Sequence, residues 1–148
     1  MWRNYILCGI TGWCAEILFT SIKSAIHQDW RLVATTSLWM FPIYGLAALI
    51  PSIYKRIKKM PWFIRGIVYM IGIFATEFIT GSILQYFGVC PWDYSDCPRN
   101  FKGIIRLDYA PFWFLLGLFY ERLLLQMKSV KSISTTKKVA EHVQKKHR

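Results

Sequence analysis

Four stretches of this chain are apolar over the length that crosses a lipid bilayer, and this restricts the fold more than any other feature. They lie near Tyr5 to Ile22, Ser37 to Tyr54, Trp62 to Phe87 and Tyr109 to Met127. A helix needs about 20 mainly apolar residues to cross the hydrocarbon core. Pro42 and Pro51 predict a kink in the second stretch, because proline has no N–H to continue the helical hydrogen-bond ladder. We therefore predict an all-α, polytopic transmembrane bundle of about four helices.

The composition favours a single membrane domain. Of the 148 residues, 54% are hydrophobic, which is too apolar for an ordinary soluble domain. The net charge of +11 would suggest a nucleic-acid partner in a soluble protein. Here the basic residues flank apolar stretches, so we expect them to contact anionic membrane lipids, and we expect no nucleic-acid partner.

The distribution of Lys and Arg predicts the orientation of the chain. Of the 19 such residues, 14 lie near the N-terminus, around the second connection or in the C-terminal portion. Cytoplasmic loops and ends carry the excess of basic residues. We expect an integral membrane protein with both termini in the cytoplasm, in the plasma membrane if the chain is bacterial. The transmembrane domain should cover residues 1–127, followed by a basic, flexible cytoplasmic tail at residues 128–148.

Glu16 and Glu77 lie inside these apolar stretches. A carboxylate at the centre of a membrane costs about 2.5 kcal/mol or more, and such residues face a bundle interior or a polar cavity. The first and third stretches should run in the same direction, and each glutamate lies roughly 4 Å beyond the midpoint of its stretch. We therefore expect Glu16 and Glu77 at one depth, in a polar interior between the first and third helices.

Small and hydroxyl-bearing residues recur at helical spacing around both glutamates. Gly9, Gly12, Trp13 and Thr20 accompany Glu16, and Thr76, Thr80 and Gly81 accompany Glu77. Two interpretations stay open. Small residues let membrane helices approach closely, so the stripes can be packing surfaces that hold protonated glutamates, or they can line a binding pocket or pathway.

Glu121 lies near the cytoplasmic end of the fourth stretch, beside Arg122. Extension of its carboxylate to the headgroups, or pairing with a basic residue, explains it, and it is a weaker candidate for the polar interior. At the outer end of the same stretch, we expect Arg106 and Asp108 to pair with Asp93 or Asp96 in a structural role.

The third connection should lie outside the membrane. It contains Cys90, Pro91, Trp92, Asp93, Tyr94, Ser95, Asp96, Cys97 and Pro98, and its prolines and acidic residues favour turns. Two alternatives stay open for Cys90 and Cys97, which can form a disulfide there or remain free thiols.

The sequence contains no enzyme signature. It has no phosphate-binding loop and no His-x-x-x-His pair, and the three histidines lie outside the apolar stretches. We expect no metal and no cofactor. An intramembrane acid–base reaction by Glu16 and Glu77 is the minority hypothesis.

Five short motifs together resemble a known family. These are Gly12 to Glu16, Phe41 to Gly45, Thr76 to Gly81, Cys90 to Ser95 and Gly103 to Leu107. They resemble the transmembrane protein 229 family and its bacterial relatives, labelled type IV ABC-transporter permeases or CmpB-like proteins. The resemblance covers about Tyr5 to Arg122. The resemblance implies a polytopic membrane protein. It also implies that Glu16, Glu77 and the block Trp92 to Ser95 are motif positions of the family. Tyr44 of the second motif is a further candidate for the pocket.

These observations predict a small transporter component that binds or passes a small or lipid-like molecule. The candidate pocket comprises Trp13, Glu16, Thr20, Tyr44, Thr76, Glu77 and Thr80, and the candidate outer-loop motif comprises Trp92, Asp93, Tyr94, Ser95, Arg106 and Asp108. Four helices are few for a pathway and nothing in the chain would bind ATP, so a permease role implies self-association and a separate ATPase subunit. The alternatives are a membrane-embedded lipid-modifying enzyme and a non-catalytic scaffold or assembly factor.

Overall fold

The chain folds mainly into helices, as the sequence predicted. The computed structural model describes the backbone of residues 2–146 and the side chains of residues 2–22 and 24–128. Helix α1 is Trp2–Ile26, α2 is Met40–Gly45, α3 is Ile50–Ile57, α4 is Trp62–Tyr86 and α5 is Ala110–Lys146. A 3-10 turn at Leu46–Leu49 joins α2 to α3, and another at Leu107–Tyr109 leads into α5.

Among the described residues, α1 and α4 are the helices long and apolar enough to cross a membrane. Each has 25 residues, which is about 37 Å at 1.5 Å per residue. Large apolar side chains lie exposed along both helices, including Ile10, Leu18, Ile71 and Ile79. Two of the four predicted spans therefore have the length and composition of a membrane helix.

The second predicted span is not one continuous α-helix. Residues 40–57 form α2, the 3-10 turn and α3 in succession, so the helical run begins three residues later than predicted and is interrupted in the middle. Pro42 lies in the first turn of α2, and Pro51 is the second residue of α3. Proline is accepted in the first turn of a helix, where its missing N–H would have no intrahelical partner. Each proline thus fits a new helix start better than the centre of one long span.

The fourth predicted span begins at the last residue of a 3-10 turn, Tyr109, and otherwise lies inside α5, which continues through Lys146 without a break at residue 127. The division into a transmembrane domain and a flexible tail stays a prediction.

The long helices pack in two groups. Helix α1 packs mainly against α2 and the following 3-10 turn, and α4 packs mainly against α5. Gly117 of α5 lies so close to Tyr69 of α4 that a Cβ atom there would overlap the tyrosine side chain. The rings of Phe19 and Phe112 meet at one end of the contact between α1 and α5, and the Tyr120 hydroxyl donates to the Cys8 carbonyl at the other, so α1 is antiparallel to α5.

Helix α4 has the same direction as α1. Arg65 near its start pairs with Glu121 of α5, and Glu77 further along lies next to Trp113. Helix α4 is therefore also antiparallel to α5.

A short hairpin closes the connection between α4 and α5. Strand β1 (Asn100–Phe101) pairs antiparallel with β2 (Ile105–Arg106). Lys102 and Gly103 in the turn have φ values of 54° and 68°, which is the left-handed conformation that glycine adopts readily. The backbone N–H of Tyr94 donates to the Gly103 carbonyl at 2.8 Å, and this bond fixes the preceding loop to the hairpin.

Candidate functional site

A cavity of about 580 Å³ lies between the two groups of helices. Its wall includes residues of α1, of the segment from Thr35 through α3, of α4, of the outer loop and of α5. This volume falls within the range of about 300–1,000 Å³ typical of small-molecule sites. Thr35 and Thr36 are exposed and also line the cavity, so the cavity opens at the connection between α1 and α2.

Glu16 enters the cavity from α1. The Thr36 hydroxyl donates to Oε2 of Glu16 at 2.6 Å, and the Tyr44 phenol lies beside the same carboxyl group. Gly12, one turn earlier on α1, permits this arrangement, because a Cβ atom there would overlap the Tyr44 ring. The small residue at position 12 thus brings α2 close enough to place a phenol next to the carboxylate.

Glu77 enters the cavity from α4 and is less completely paired. Its Oε2 atom and the indole Nε1 of Trp113 are both buried without a hydrogen-bond partner among the described residues. The Trp113 indole lies close enough to the Glu77 carboxyl group to interact with it weakly, but the two do not meet in the geometry of a full hydrogen bond. A buried polar group left without a partner costs about 1–3 kcal/mol. The wall of the cavity therefore holds one unused acceptor and one unused donor close together.

The two glutamates approach the same part of α5. Phe19, one turn beyond Glu16 on α1, packs against the Phe112 ring of α5 with a centroid distance of 5.5 Å. Glu77 lies next to Trp113 of the same helix. The carboxyl groups therefore belong to one cavity but to different helix groups. We expected an interior between the first and third helices, and this expectation needs a correction. Helix α1 packs mainly on α2, and α4 packs mainly on α5. Helix α5 and the segment after α1 therefore form much of the cavity wall.

The outer loop covers one end of the cavity. Trp92 and Tyr94 line it, and the Trp92 indole N–H donates to the Ile104 carbonyl of the hairpin turn at 3.0 Å. Burial raises the pKa of the Tyr94 phenol, and the nearby carboxyl groups of Glu77 and Glu16 raise it further. Tyr94 is therefore a neutral phenol close to both carboxyl groups.

Asp93 and Ser95 of the predicted outer-loop motif shape this loop and do not line the cavity. The Ser95 hydroxyl and backbone N–H donate to Asp93 Oδ1 at 2.6 and 2.9 Å. These hydrogen bonds hold the pKa of the Asp93 carboxyl below its ordinary value. The pair stabilises the turn that presents Tyr94 to the cavity.

Arg106 and Asp108 differ from our expectation. Arg106 pairs with Asp108 at 3.1 Å, not with Asp93 or Asp96. The two residues are two positions apart where β2 passes into the 3-10 turn, so a local pair forms without any change in the loop, whereas Asp93 is held by Ser95. The bond to Asp108 raises the pKa of the Arg106 guanidinium. Arg106 also lies over the Tyr109 ring, 4.8 Å from its centroid.

The remaining pocket candidates are divided between the cavity and its supports. Thr20 and Thr76 line the cavity, whereas Trp13 and Thr80 do not. The Trp13 indole N–H donates to the Ser37 carbonyl at 3.0 Å, which fixes the connection after α1. The Thr80 hydroxyl donates to the Thr76 carbonyl at 2.7 Å within α4, so it bonds along its own helix.

Glu121 lies outside the cavity wall and is only 4% exposed. Arg65 donates from Nε and Nη2 to its two carboxylate oxygens at 3.0 and 2.9 Å, and the Tyr69 hydroxyl donates to Oε2 at 2.5 Å. Of the two explanations from the sequence, the structure shows pairing with a basic residue. Tyr69 also lines the cavity, so this buried ion pair is its immediate neighbour.

The aromatic residues of α5 and Arg65 were not among the residues predicted for the site. Trp113, Leu116 and Tyr120 line the cavity from one face of α5, and Tyr109 continues this line from the end of the preceding 3-10 turn. Their spacing of four, three and four residues is that of a helical stripe. This spacing was the signal that could have identified them. Arg65 carried no such signal, because its partner lies 56 positions away in the chain.

Neither a disulfide nor a metal cluster is present in the part of the chain whose side chains are described. Cys90 and Cys97 are free thiols, and no group of three or more His, Cys, Asp or Glu side chains is placed to hold a metal ion there.

Comparison with known proteins identifies the family. The chain matches the family described as "Putative ABC-transporter type IV" (CmpB) over residues 3–144, which includes every motif that carried the resemblance. The match is to the CmpB family, and the resemblance to transmembrane protein 229 stays a prediction. No solved structure matches the chain. Because the match covers nearly its full length, this chain belongs to the type IV ABC-transporter (CmpB) family.

Proposed function

We propose that this chain is a membrane-spanning component of a transporter, and that the cavity holds a small or lipid-like molecule during its passage. Family membership supports a transport role. The cavity supports a binding step, because its volume and its mainly apolar wall with a few polar groups are typical of ligand sites.

Integral membrane placement is part of this proposal. The length and composition of α1 and α4 support it, as do the large apolar side chains exposed on their outer faces. A soluble protein rarely leaves apolar surface of this extent in contact with water. We propose that both chain termini lie in the cytoplasm, with the outer loop on the opposite side.

A separate ATPase subunit completes the proposed transporter. The sequence has no phosphate-binding loop, so a partner chain would supply ATP hydrolysis. Self-association of this chain would enlarge the small number of membrane helices available to form a pathway.

The unused donor and acceptor in the cavity wall carry the proposal. Trp113 Nε1 and Glu77 Oε2 are buried without partners among the described residues, and each is costly in that state. A bound molecule that pairs with both groups recovers that free energy. A scaffold that used its glutamates only for helix packing would have no reason to leave them facing a cavity.

The lipid-modifying enzyme is the second candidate, and one observation favours it. Two carboxyl groups and the neutral phenol of Tyr94 lie at one cavity, which are groups that can exchange protons with a bound substrate. The two functions differ in outcome. An enzyme would change the bound molecule chemically in the absence of an ATPase, and a transporter component would release it unchanged.

A cavity-filling variant tests the binding step. Gly72 lines the cavity, and a Cβ atom there would meet nothing within 4 Å. Gly72→Phe should therefore fill the cavity without displacing the backbone. Ile71→Phe is the matched control, because Ile71 is on the same helix but 57% exposed on its outer face.

Native mass spectrometry of the protein released from membranes gives the readout. We expect the wild type and Ile71→Phe to carry the same bound molecule, and Gly72→Phe to lose it. A wild type without any bound molecule, or equal occupancy in both variants, would contradict the proposal. Affinity purification from gently solubilised membranes should in addition recover an ATPase in a fixed ratio to this chain.

A further inference from the structure

The charge of the cavity wall differs from that of the whole protein. The chain carries 19 Lys and Arg residues and a net charge of +11. The cavity wall contains Glu16 and Glu77 but, among the residues whose side chains are described, no Lys, Arg or His. Arg65 and Arg106 lie close to the cavity wall, and each is already paired, Arg65 with Glu121 and Arg106 with Asp108. Two carboxyl groups thus face the cavity without a basic partner, and they favour a positively charged occupant.

Aromatic rings form much of the remaining wall. Nine aromatic side chains line the cavity, and six of them, Tyr44, Trp92, Tyr94, Tyr109, Phe112 and Trp113, surround the level of the two glutamates or the loop above it. The faces of such rings attract cations, with a gain of about 2 kcal/mol where water is excluded. This lining favours an organic cation over a metal ion, because rings replace the oxygen ligands that hard metal ions require.

The unused polar atoms define a second feature of the occupant. Glu77 Oε2 can accept a hydrogen bond or attract a positive charge, and Trp113 Nε1 can only donate. An ammonium group would be attracted to Glu77 Oε2, and an oxygen atom close to that ammonium would accept the hydrogen bond from Trp113 Nε1. A molecule that carries both groups next to each other matches the wall at this point.

We propose that the cavity selects an organic ammonium ion with a neighbouring oxygen atom, either as a free small molecule or as the headgroup of a lipid. This inference rests on the proposed function, since it names the class of molecule that the same cavity binds. Glu16 and Glu77 attract the ammonium group, the aromatic rings surround it, and the Trp113 N–H donates to the oxygen.

Three probes of almost equal shape and different charge test the selection. Choline is the cation, 3,3-dimethylbutan-1-ol is its uncharged isostere, and 3,3-dimethylbutanoate is the anion. The full chain is placed in nanodiscs of phosphatidylglycerol, a lipid without an ammonium group, and binding is followed by tryptophan fluorescence, because Trp92 and Trp113 line the cavity. We expect choline to bind at least about tenfold more tightly than the alcohol, and the anion not to bind.

Substitutions then assign the effect to the carboxyl groups. Glu16→Gln and Glu77→Gln should each weaken choline binding about tenfold and leave binding of the alcohol within about twofold. Asp96→Asn is the matched control, because it removes one exposed carboxylate outside the cavity, and it should change neither affinity. A thermal unfolding curve for each variant shows whether it is folded, and choline should raise the unfolding temperature of the wild type.

A lipid arm distinguishes the two sources of the ammonium group. Replacement of part of the phosphatidylglycerol by phosphatidylethanolamine should weaken choline binding if the site takes lipid headgroups, and should leave it unchanged if the site takes free ions. Either result agrees with the proposed selection.

Equal binding of choline and the alcohol, preference for the anion, or no binding of any probe would overturn the ammonium inference. Binding of all three probes that is lost in Gly72→Phe would leave the proposed function intact and remove only the charge selection. No probe binding together with an empty wild type in the mass-spectrometry experiment would remove both.

Discussion

Removal of either partner of the buried pair between Arg65 and Glu121 should destabilise the protein strongly. Glu121 is 4% exposed, and the side chain of Arg65 is 18% exposed. Removal of one partner of a buried pair leaves an uncompensated charge and costs about 3–5 kcal/mol. We therefore expect Arg65→Met and Glu121→Met each to lower the free energy of unfolding by about 3–5 kcal/mol.

The double variant should be more stable than either single variant. With both residues replaced by methionine, no buried charge is left, and the remaining cost is the Tyr69 hydroxyl, which loses its acceptor. An unpaired buried hydroxyl costs about 1–3 kcal/mol. The double variant should therefore lose about 1–3 kcal/mol, far less than the roughly 6–10 kcal/mol expected if the two single effects added.

Equilibrium unfolding of the purified protein in mild detergent, followed by far-UV circular dichroism, measures these differences. Arg56→Met is the matched control, because Arg56 is an exposed basic residue of α3, and it should change the free energy of unfolding by less than about 0.5 kcal/mol. Single effects below about 1 kcal/mol, or a double effect equal to the sum of the singles, would refute the idea that this pair is buried and coupled.

Two further predictions concern helix packing and the outer loop. Gly12→Ala should lower the free energy of unfolding by about 1–3 kcal/mol in the same assay, because the new Cβ overlaps the Tyr44 ring. Gly72→Ala is the control, because its Cβ meets open space, and it should be neutral or stabilising by up to about 1 kcal/mol. Equal losses in both variants would contradict the close approach of α1 and α2. The hydrogen bonds from Ser95 lower the pKa of Asp93 in the folded protein. The ionised carboxylate therefore stabilises the fold above the ordinary Asp pKa of about 3.9, and this stabilisation is lost as the pH falls through the lower pKa of the folded state. An NMR titration of the Asp93 carboxyl carbon should therefore show a lower midpoint in the wild type than in Ser95→Ala, which loses the hydroxyl donor and keeps the backbone one. Identical midpoints would contradict the hydrogen bond from the Ser95 hydroxyl.

The sequence predicted the helical class, and it directed attention to Glu16 and Glu77, which line the cavity. Glu16 and Glu77 were recognisable because carboxylates in apolar helices are costly and therefore face an interior. Their common depth was expected from the rise per residue and from the shared direction of the two helices, and it stays a prediction. Trp92 and Tyr94 were recognisable as one motif in the outer loop.

The packing partners could not be predicted from local patterns. The small-residue stripe on α1 indicated a close helix contact but not which helix would occupy it, and Tyr44 of α2 does. Arg65 was interpreted as part of the cytoplasmic excess of basic residues, although it binds Glu121 on α5. Such contacts join residues far apart in the chain, and a helical period specifies only which face of a helix is buried.

Modification of a cysteine placed at position 76, through a mixed disulfide, tests most directly the central claim that two carboxyl groups face a cavity inside the helices. Thr76→Cys, which lines the cavity, and Ile71→Cys, which is exposed on the outer face of α4, are each made in a variant whose four native cysteines are replaced by alanine. Each is treated in nanodiscs with a cationic and an anionic methanethiosulfonate reagent of similar size. We expect Thr76→Cys to react about tenfold faster with the cationic reagent and Ile71→Cys, surrounded by lipid, to react with neither. A cysteine at position 76 that is as unreactive as the one at position 71, or that prefers the anionic reagent, would contradict the claim.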